Sequence, residues 1–138
     1  MAEKTVLFLC TGNSCRSQMA EGLVNHFLAG RWRAYSAGVA PSGYVHPLAI
    51  AVMAELGIDI AGQHSKHADE LRDVAFDMVI TVCDDAAETC PLWLREGQVV
   101  HIPFYDPAQA TGTPAERMAI FRRVRDEIRE QGVGRLVG

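Results

Sequence analysis

Thr5-Val6-Leu7-Phe8-Leu9-Cys10-Thr11-Gly12-Asn13-Ser14-Cys15-Arg16-Ser17 passes from a continuous apolar run, through a Cys and an Arg separated by five residues, into a helical pattern. Thr5 to Leu9 reads as a strand of a parallel sheet buried on both faces. Gly12 and Asn13 tolerate backbone conformations that let successive N–H groups converge, and a helix opening at Ser17 begins with N–H groups that have no partner inside it. A tetrahedral oxyanion satisfies such donors, while the helix dipole and the Arg16 guanidinium add positive potential. Thr11, Gly12, Asn13, Ser14, Cys15 and Arg16 are therefore the candidate oxyanion-binding residues.

The same field acts on Cys10. A free thiol titrates near about 8.5 and falls to roughly 3.5–7.5 at helix N-termini or beside cations, so Cys10 is expected to be a thiolate at neutral pH. A thiolate beneath a bound oxyanion is placed for in-line attack on its central atom. The bland alternative, a buried Cys ending a strand before a glycine turn, leaves the agreement of strand, Cys, turn, Arg and helix start without a cause.

Length and composition bound what else the chain does. Its 138 residues fit one domain, residues 1–138, with a single core and no room for a second. A net charge of −4 argues against general nucleic-acid binding, so positive potential is expected to be local to the loop. The apolar stretch near the N-terminus, with one Lys before it and Glu21 soon after the loop, reads as neither signal peptide nor membrane span. The expected compartment is the cytoplasm, with no membrane partner. Four cysteines in such a chain point to catalysis, redox chemistry or metal binding rather than a disulfide framework.

Outward from the loop, helical spacing covers Ser17 to Ala29, ending at Gly30, and Trp32 to Ser36 reads as a second strand before turn material at Gly38 to Gly43. Pro47 to Leu56 is a helix with Pro in its first turn and Gly57 after its end, and Asp69 to Arg72 a short helical turn. Met78 to Val82 and Val99 to Ile102 are further strands. Thr113 to Glu130 is a long amphipathic helix with Met118, Phe121, Val124 and Ile128 on one face, and 132–138 reads as a loose tail. Alternating strands and helices predict an α/β domain with a four-stranded parallel sheet flanked by helices. Ligands bind such sheets at the carboxyl ends of the strands, where Cys10, Cys83 and Pro103 to Asp106 should gather.

Cys83 follows a predicted strand, and Cys90 lies seven residues on, followed by Pro91. If Asp84 to Thr89 is helical, seven residues span roughly 10 Å, beyond the roughly 7 Å between Cα atoms that a disulfide allows. Bonding would then require the segment to unwind, and Asp84, Asp85 and Glu88 expose it to water, which keeps unwinding cheap. Two unreactive core thiols are the alternative. His64 and His67 stand three apart, but no second ligand pair has fitting spacing, so no metal site is expected. Cys15 reads as a small packed residue.

The Cys-x5-Arg-Ser pattern resembles the low-molecular-weight tyrosine phosphatase family, whose phosphatase and arsenate reductase branches share a small α/β fold with this loop after the first strand. With the Cys-x6-Cys pair before Pro, Thr-Gly-Asn-Ser-Cys-Arg-Ser-Gln-Met-Ala-Glu-Gly at 11–22 and Tyr-Ser-Ala-Gly at 35–38, the likeness sharpens to the thioredoxin-coupled arsenate reductases and extends from about residue 4 to 130. The resemblance implies that Cys10 attacks arsenate, that Ser17 donates to its sulfur, and that Asp106 of the Asp106-Pro107 pair is the general acid. It further implies a Cys10–Cys83 disulfide, then a Cys83–Cys90 disulfide regenerated by thioredoxin, in a chain acting as a monomer without a tightly bound cofactor. Where phosphatases of the family follow the Asp-Pro pair with tyrosines, this chain has Ala108-Gln109-Ala110, a small rim that favours an inorganic anion. A phosphatase acting on phosphotyrosine or small aryl phosphates is the same-fold alternative, and a cysteine-based redox sensor or anion-binding regulator the alternative of another class.

The resemblance also implies a potassium site built from Asn13, Glu21, Ser36 and an Asp. Lys66 stands at the place of that Asp, which sets the expectation against potassium: its ammonium takes the cation's place and pairs with Glu21, or it is a solvated surface side chain.

Overall fold

Val6, Leu7, Phe8 and Leu9 are all fully buried, the condition for a strand with neighbours on both sides and layers on both faces. In the computed structural model, which describes residues 3–95 and 97–137, they form the middle of β1 (Lys4–Cys10). Beside it run β2 (Trp32–Gly38), β3 (Met78–Thr81) and β4 (Gln98–His101), all parallel, in the order β2-β1-β3-β4. Leu9 is level with Ala37 and Thr81, and Thr81 with His101, so the carboxyl ends of all four strands share one edge. That edge is where crossover connections leave room for a ligand. β4 has a neighbour on one side only, which is why Val99 remains exposed.

Four helices connect and cover the strands: α1 (Arg16–Phe27), α2 (Pro47–Ala54), α3 (Asp84–Thr89) and α4 (Pro114–Ile128). α1 buries Met19, Ala20, Leu23 and Val24, and a Cβ at its Gly22 would come within 2.6 Å of Ile60 Cγ2 and 3.0 Å of Met53 Cε. Only a glycine permits that approach. α4 starts on a reciprocal cap in which Glu116 N–H donates to Thr113 Oγ1 and Thr113 N–H to Glu116 Oε1. Of its expected apolar face, Phe121, Val124 and Ile128 are buried while Met118 is half-buried. Arg125 on the same helix is buried too, donating to Val52 O and Glu55 Oε1 at 2.8 Å each, which ties α4 to the end of α2. Among the described residues no helix is long and apolar enough to cross a membrane.

The structure departs from the sequence reading at the C-terminus. Instead of a loose tail over 132–138, the chain leaves α4 through a π-helical turn (Arg129–Val133) and continues as α5 (Gly134–Val137); Gly138 lies outside the described residues. The wider turn rotates Val133 and Leu136 back onto the core, and Trp32 Nε1 donates to Leu136 O at 3.2 Å. Gly132 and Gly134 disguise this, since two glycines at alternate positions read as loop. Leu136→Ala is expected to cost about 2 kcal/mol and lower Tm by roughly 8 °C. An unchanged melting curve would mean the segment carries no part of the core.

Candidate active site

The loop between β1 and α1 turns on Asn13, a fully buried residue with φ of 49°. Asn tolerates this left-handed region better than other non-glycine residues. Its side chain and backbone are held on every side. Gln18 Nε2 donates to both Asn13 O and Asn13 Oδ1 at 3.0 Å, Lys66 N–H donates to Asn13 Oδ1 at 2.9 Å, and Asn13 Nδ2 donates to Ser17 Oγ at 2.8 Å. Accepting from Asn13 leaves the Ser17 hydroxyl proton for Cys10 Sγ, 2.9 Å away, and Asn13 N–H donates to the same sulfur at 3.1 Å. Gln63 Nε2 in turn fixes Gln18 through Gln18 Oε1 at 2.8 Å. Sequence reasoning missed Gln18 and Gln63; a glutamine amid the buried positions of α1 was the available signal.

Cys10 ends β1, nearly buried, at the floor of a cleft of about 230 Å³ lined by residues 10–16 and Asp106. Burial is the largest influence on its thiol and pushes it up, while Ser17, then the Arg16 guanidinium and the Asn13 amide, pull it down. The thiolate expected at Cys10 is thus favoured by the Ser17 hydroxyl, the Arg16 guanidinium and the Asn13 amide and opposed by burial. Arg16 opens α1 and donates to Phe104 O at 3.3 Å, with its other terminal nitrogen 3.6 Å from Asp106 Oδ2. Asp106 Oδ1 accepts from Ala108 N–H at 3.0 Å, which starts the 3-10 turn Pro107–Gln109 and aims the carboxyl at the loop.

Cys83 enters from β3. It follows the strand by two residues, is buried, and its Sγ lies 3.3 Å from Thr11 Oγ1 on the rim of the cleft. The structure thus gathers Cys10, Arg16, Asp106 and Cys83 at one sheet edge. Cys90 stands apart, buried at the far end of the six-residue α3, its thiol pushed up by burial and pulled down by Arg95. All four cysteines are free. Cys15, at the start of α1, has its thiol pushed up to about 12 by burial, which suits a packed residue.

Behind the loop, Ser36 Oγ donates to Glu21 Oε1 at 2.6 Å. Burial pushes the Glu21 carboxyl up, opposed by the Ser36 hydroxyl and then by the Lys66 ammonium. Lys66 Nζ donates to His64 O at 3.0 Å, and the Lys66 backbone N–H already occupies Asn13 Oδ1 together with Gln18. Asn13 Oδ1 thus accepts two hydrogen bonds, and among the described residues the Lys66 ammonium rests on a backbone carbonyl and not in the expected ion pair with Glu21. His67 serves the backbone instead, since its Nδ1 accepts from Asp69 N–H and caps the turn Ala68–Leu71.

The chain resembles known proteins along nearly its whole length. Residues 5–137 match the low molecular weight phosphotyrosine protein phosphatase family. It is 50% identical over 130 residues to an arsenate reductase of Shouchella clausii, covering 93% of this chain and 91% of that one. It is 48% identical over 128 residues to an arsenate reductase of Bacillus subtilis, with the same coverage of 93% and 91%. A solved structure of an arsenate reductase in the phosphate binding state superposes with a TM-score of 0.83 at 35% identity, covering 97% of each chain. A loop joining Cys10 to Arg16, an Asp-Pro pair and a second thiol on one sheet edge, together with these likenesses, carry one conclusion: the chain belongs to the low molecular weight phosphotyrosine protein phosphatase family, in its arsenate reductase branch.

Proposed function

We propose that this protein reduces arsenate to arsenite and passes the oxidation through its cysteines to thioredoxin. The observation that carries the reading is the thiol of Cys83, 3.3 Å from Thr11 Oγ1 at the mouth of the loop, where a hydrolytic phosphatase has no need of a second sulfur. Cys10 attacks the bound oxyanion and forms the sulfur–arsenic bond. One arsenic–oxygen bond breaks as Asp106 protonates the departing oxygen, while the loop amides and Arg16 hold the charge. Cys83 then attacks Cys10 Sγ; the electron pair of the sulfur–arsenic bond stays on arsenic, which leaves as arsenite, and a Cys10–Cys83 disulfide remains. Cys90 attacks Cys83, Cys10 departs as thiolate, and an external dithiol reduces the Cys83–Cys90 disulfide. Partial supports for this order are the exposure of Asp84 and Glu88 on α3 and its length, since six residues form too short a helix to resist unwinding.

Arsenate-dependent NADPH consumption through thioredoxin and its reductase tests the reading. Cys10→Ser is expected to abolish both arsenate reduction and any hydrolysis of an aryl phosphate. Cys83→Ser and Cys90→Ser should lose multiple turnover yet keep that hydrolysis, and the Cys90 variant should trap a Cys10–Cys83 disulfide visible by peptide mapping. Full turnover without Cys83 or Cys90 would exclude the relay.

Lys66 bears on the cofactor. In this proposal its ammonium, seated on His64 O and acting on the Glu21 carboxyl through its field, takes the place of the potassium ion that the family resemblance implies, and no cofactor is needed. Activity and Tm should respond alike to sodium and potassium chloride at matched ionic strength, because screening is common to both salts. Lys66→Asp should make the protein responsive to potassium specifically. Stabilisation of the wild type by potassium and not by sodium would refute the substitution.

A further inference from the structure

His101, the last residue of β4, uses both ring nitrogens. Nδ1 lies 2.8 Å from Oγ1 of Thr81, its register partner at the end of β3, and Nε2 lies 3.0 Å from Asp84 Oδ1 at the first position of α3. Thr81 is fully buried, whereas Asp84 is exposed. One imidazole therefore joins two residues that straddle Cys83, one before it on the rigid sheet and one after it on a short helix. Between these anchors the Cys83 thiol meets Thr11.

We propose that the Thr81–His101–Asp84 bridge is a catch that holds Cys83 toward the oxyanion cleft and keeps α3 wound until the sulfur has reacted with Cys10. The proposal rests on the relay described above. Attack on Cys10 Sγ requires Cys83 at the cleft, and pairing with Cys90 requires the opposite: eight residues from Cys83 to Cys90 that are helical over Asp84–Thr89 hold the two Cα atoms roughly 10 Å apart, and a disulfide needs them within about 7 Å. Unwinding moves Asp84 away from a ring that the sheet holds still, so the Asp84–His101 contact is lost in the oxidised form. An interaction present in the dithiol and absent from the disulfide favours the dithiol. His101 is thus a positioning residue, acting on Cys83 through Asp84 and Thr81 without touching the substrate.

The test uses full-length protein carrying Cys10→Ser and Cys15→Ser, in which Cys83 and Cys90 are the remaining thiols. It is equilibrated with mixtures of reduced and oxidised dithiothreitol; two thiols lose two electrons and two protons to the cyclic disulfide, and the Cys83–Cys90 bond is counted by mass after acid quenching. His101→Ala and Asp84→Ala should each shift the equilibrium toward the disulfide by about threefold to tenfold, the range of one charge-assisted hydrogen bond at a half-exposed site. The double variant should shift it no further than either single one, because both remove the same contact. Asp84→Ala, at an exposed position, serves alone if His101→Ala does not fold. In the protein with all cysteines, His101→Ala should slow arsenate turnover and leave aryl phosphate hydrolysis unchanged, a split that a general loss of stability would not produce. Equal equilibria in all variants, or fully additive shifts, would overturn the catch while leaving the relay intact. Failure of the Cys83–Cys90 disulfide to form in any of them would overturn the relay, and the catch with it.

Discussion

The catalytic edge of this molecule depends on keeping one buried Asn in a left-handed turn. Asn13 has no contact with water, and its amide and backbone carry polar atoms whose desolvation costs about 1–3 kcal/mol each when unpaired. Gln18 from α1, the Lys66 backbone from the segment before Ala68–Leu71, and Ser17 offset that cost between them. The result is a network in which every member has a partner, the condition under which a buried polar cluster rigidifies rather than weakens a site. Because Ser17 is bonded to Asn13, its hydroxyl is committed to the Cys10 sulfur. The turn geometry and the state of the nucleophile are thereby one property, not two.

The nucleophile sits in a balance of opposed effects. Closing the loop over Cys10 takes the thiol out of water, which favours the neutral form, and the same closure brings Ser17, Arg16 and the Asn13 amide to within reach of the sulfur, which favours the anion. Arg16 is itself aligned by Phe104 O and Asp106, so the loop after β4 contributes to the potential at the end of β1. β2 contributes by proximity: a Cβ at Gly38, level with Cys10, would strike the Thr11 carbonyl, so only a glycine lets that strand close the back of the loop. Three strands and one helix therefore determine one sulfur, which explains why the site lies where their ends converge.

The sheet and most of the site were legible in the sequence because they are written in local patterns. Val6 to Leu9 is apolar without interruption, and Cys10, Arg16 and Asp106-Pro107 each lie at a fixed distance from a strand end. What was not legible depends on contacts between distant residues. The burial that raises the Cys10 thiol comes from packing around it, and neither Gln18–Gln63 nor Thr81–His101–Asp84 has a spacing that marks it, since the partners are 45, 20 and 17 positions apart. The helical end of the chain was hidden for a different reason. Gly132 and Gly134 have poor helix propensity, and tertiary burial of Val133 and Leu136, which propensity cannot see, overrides it.

The cradle by itself does not separate hydrolysis from reduction, because a loop of amides and an Arg reads the shape and charge of a tetrahedral anion and not its central atom. What separates them is the fate of the covalent adduct. Phosphorus holds its oxidation state, so a phosphorylated Cys10 has only water to turn to; arsenic accepts an electron pair, so an arsenylated Cys10 can be released by a second thiol. The difference between the two activities thus reduces to whether a sulfur reaches Cys10 before water does. In the relay proposed for this protein that sulfur is Cys83, which follows the strand next to β1 and lies between residues that belong to the sheet or are tied to it. On that proposal the reductive chemistry requires no change in the cradle, only a cysteine at the end of the neighbouring strand and a short helix after it that can give way.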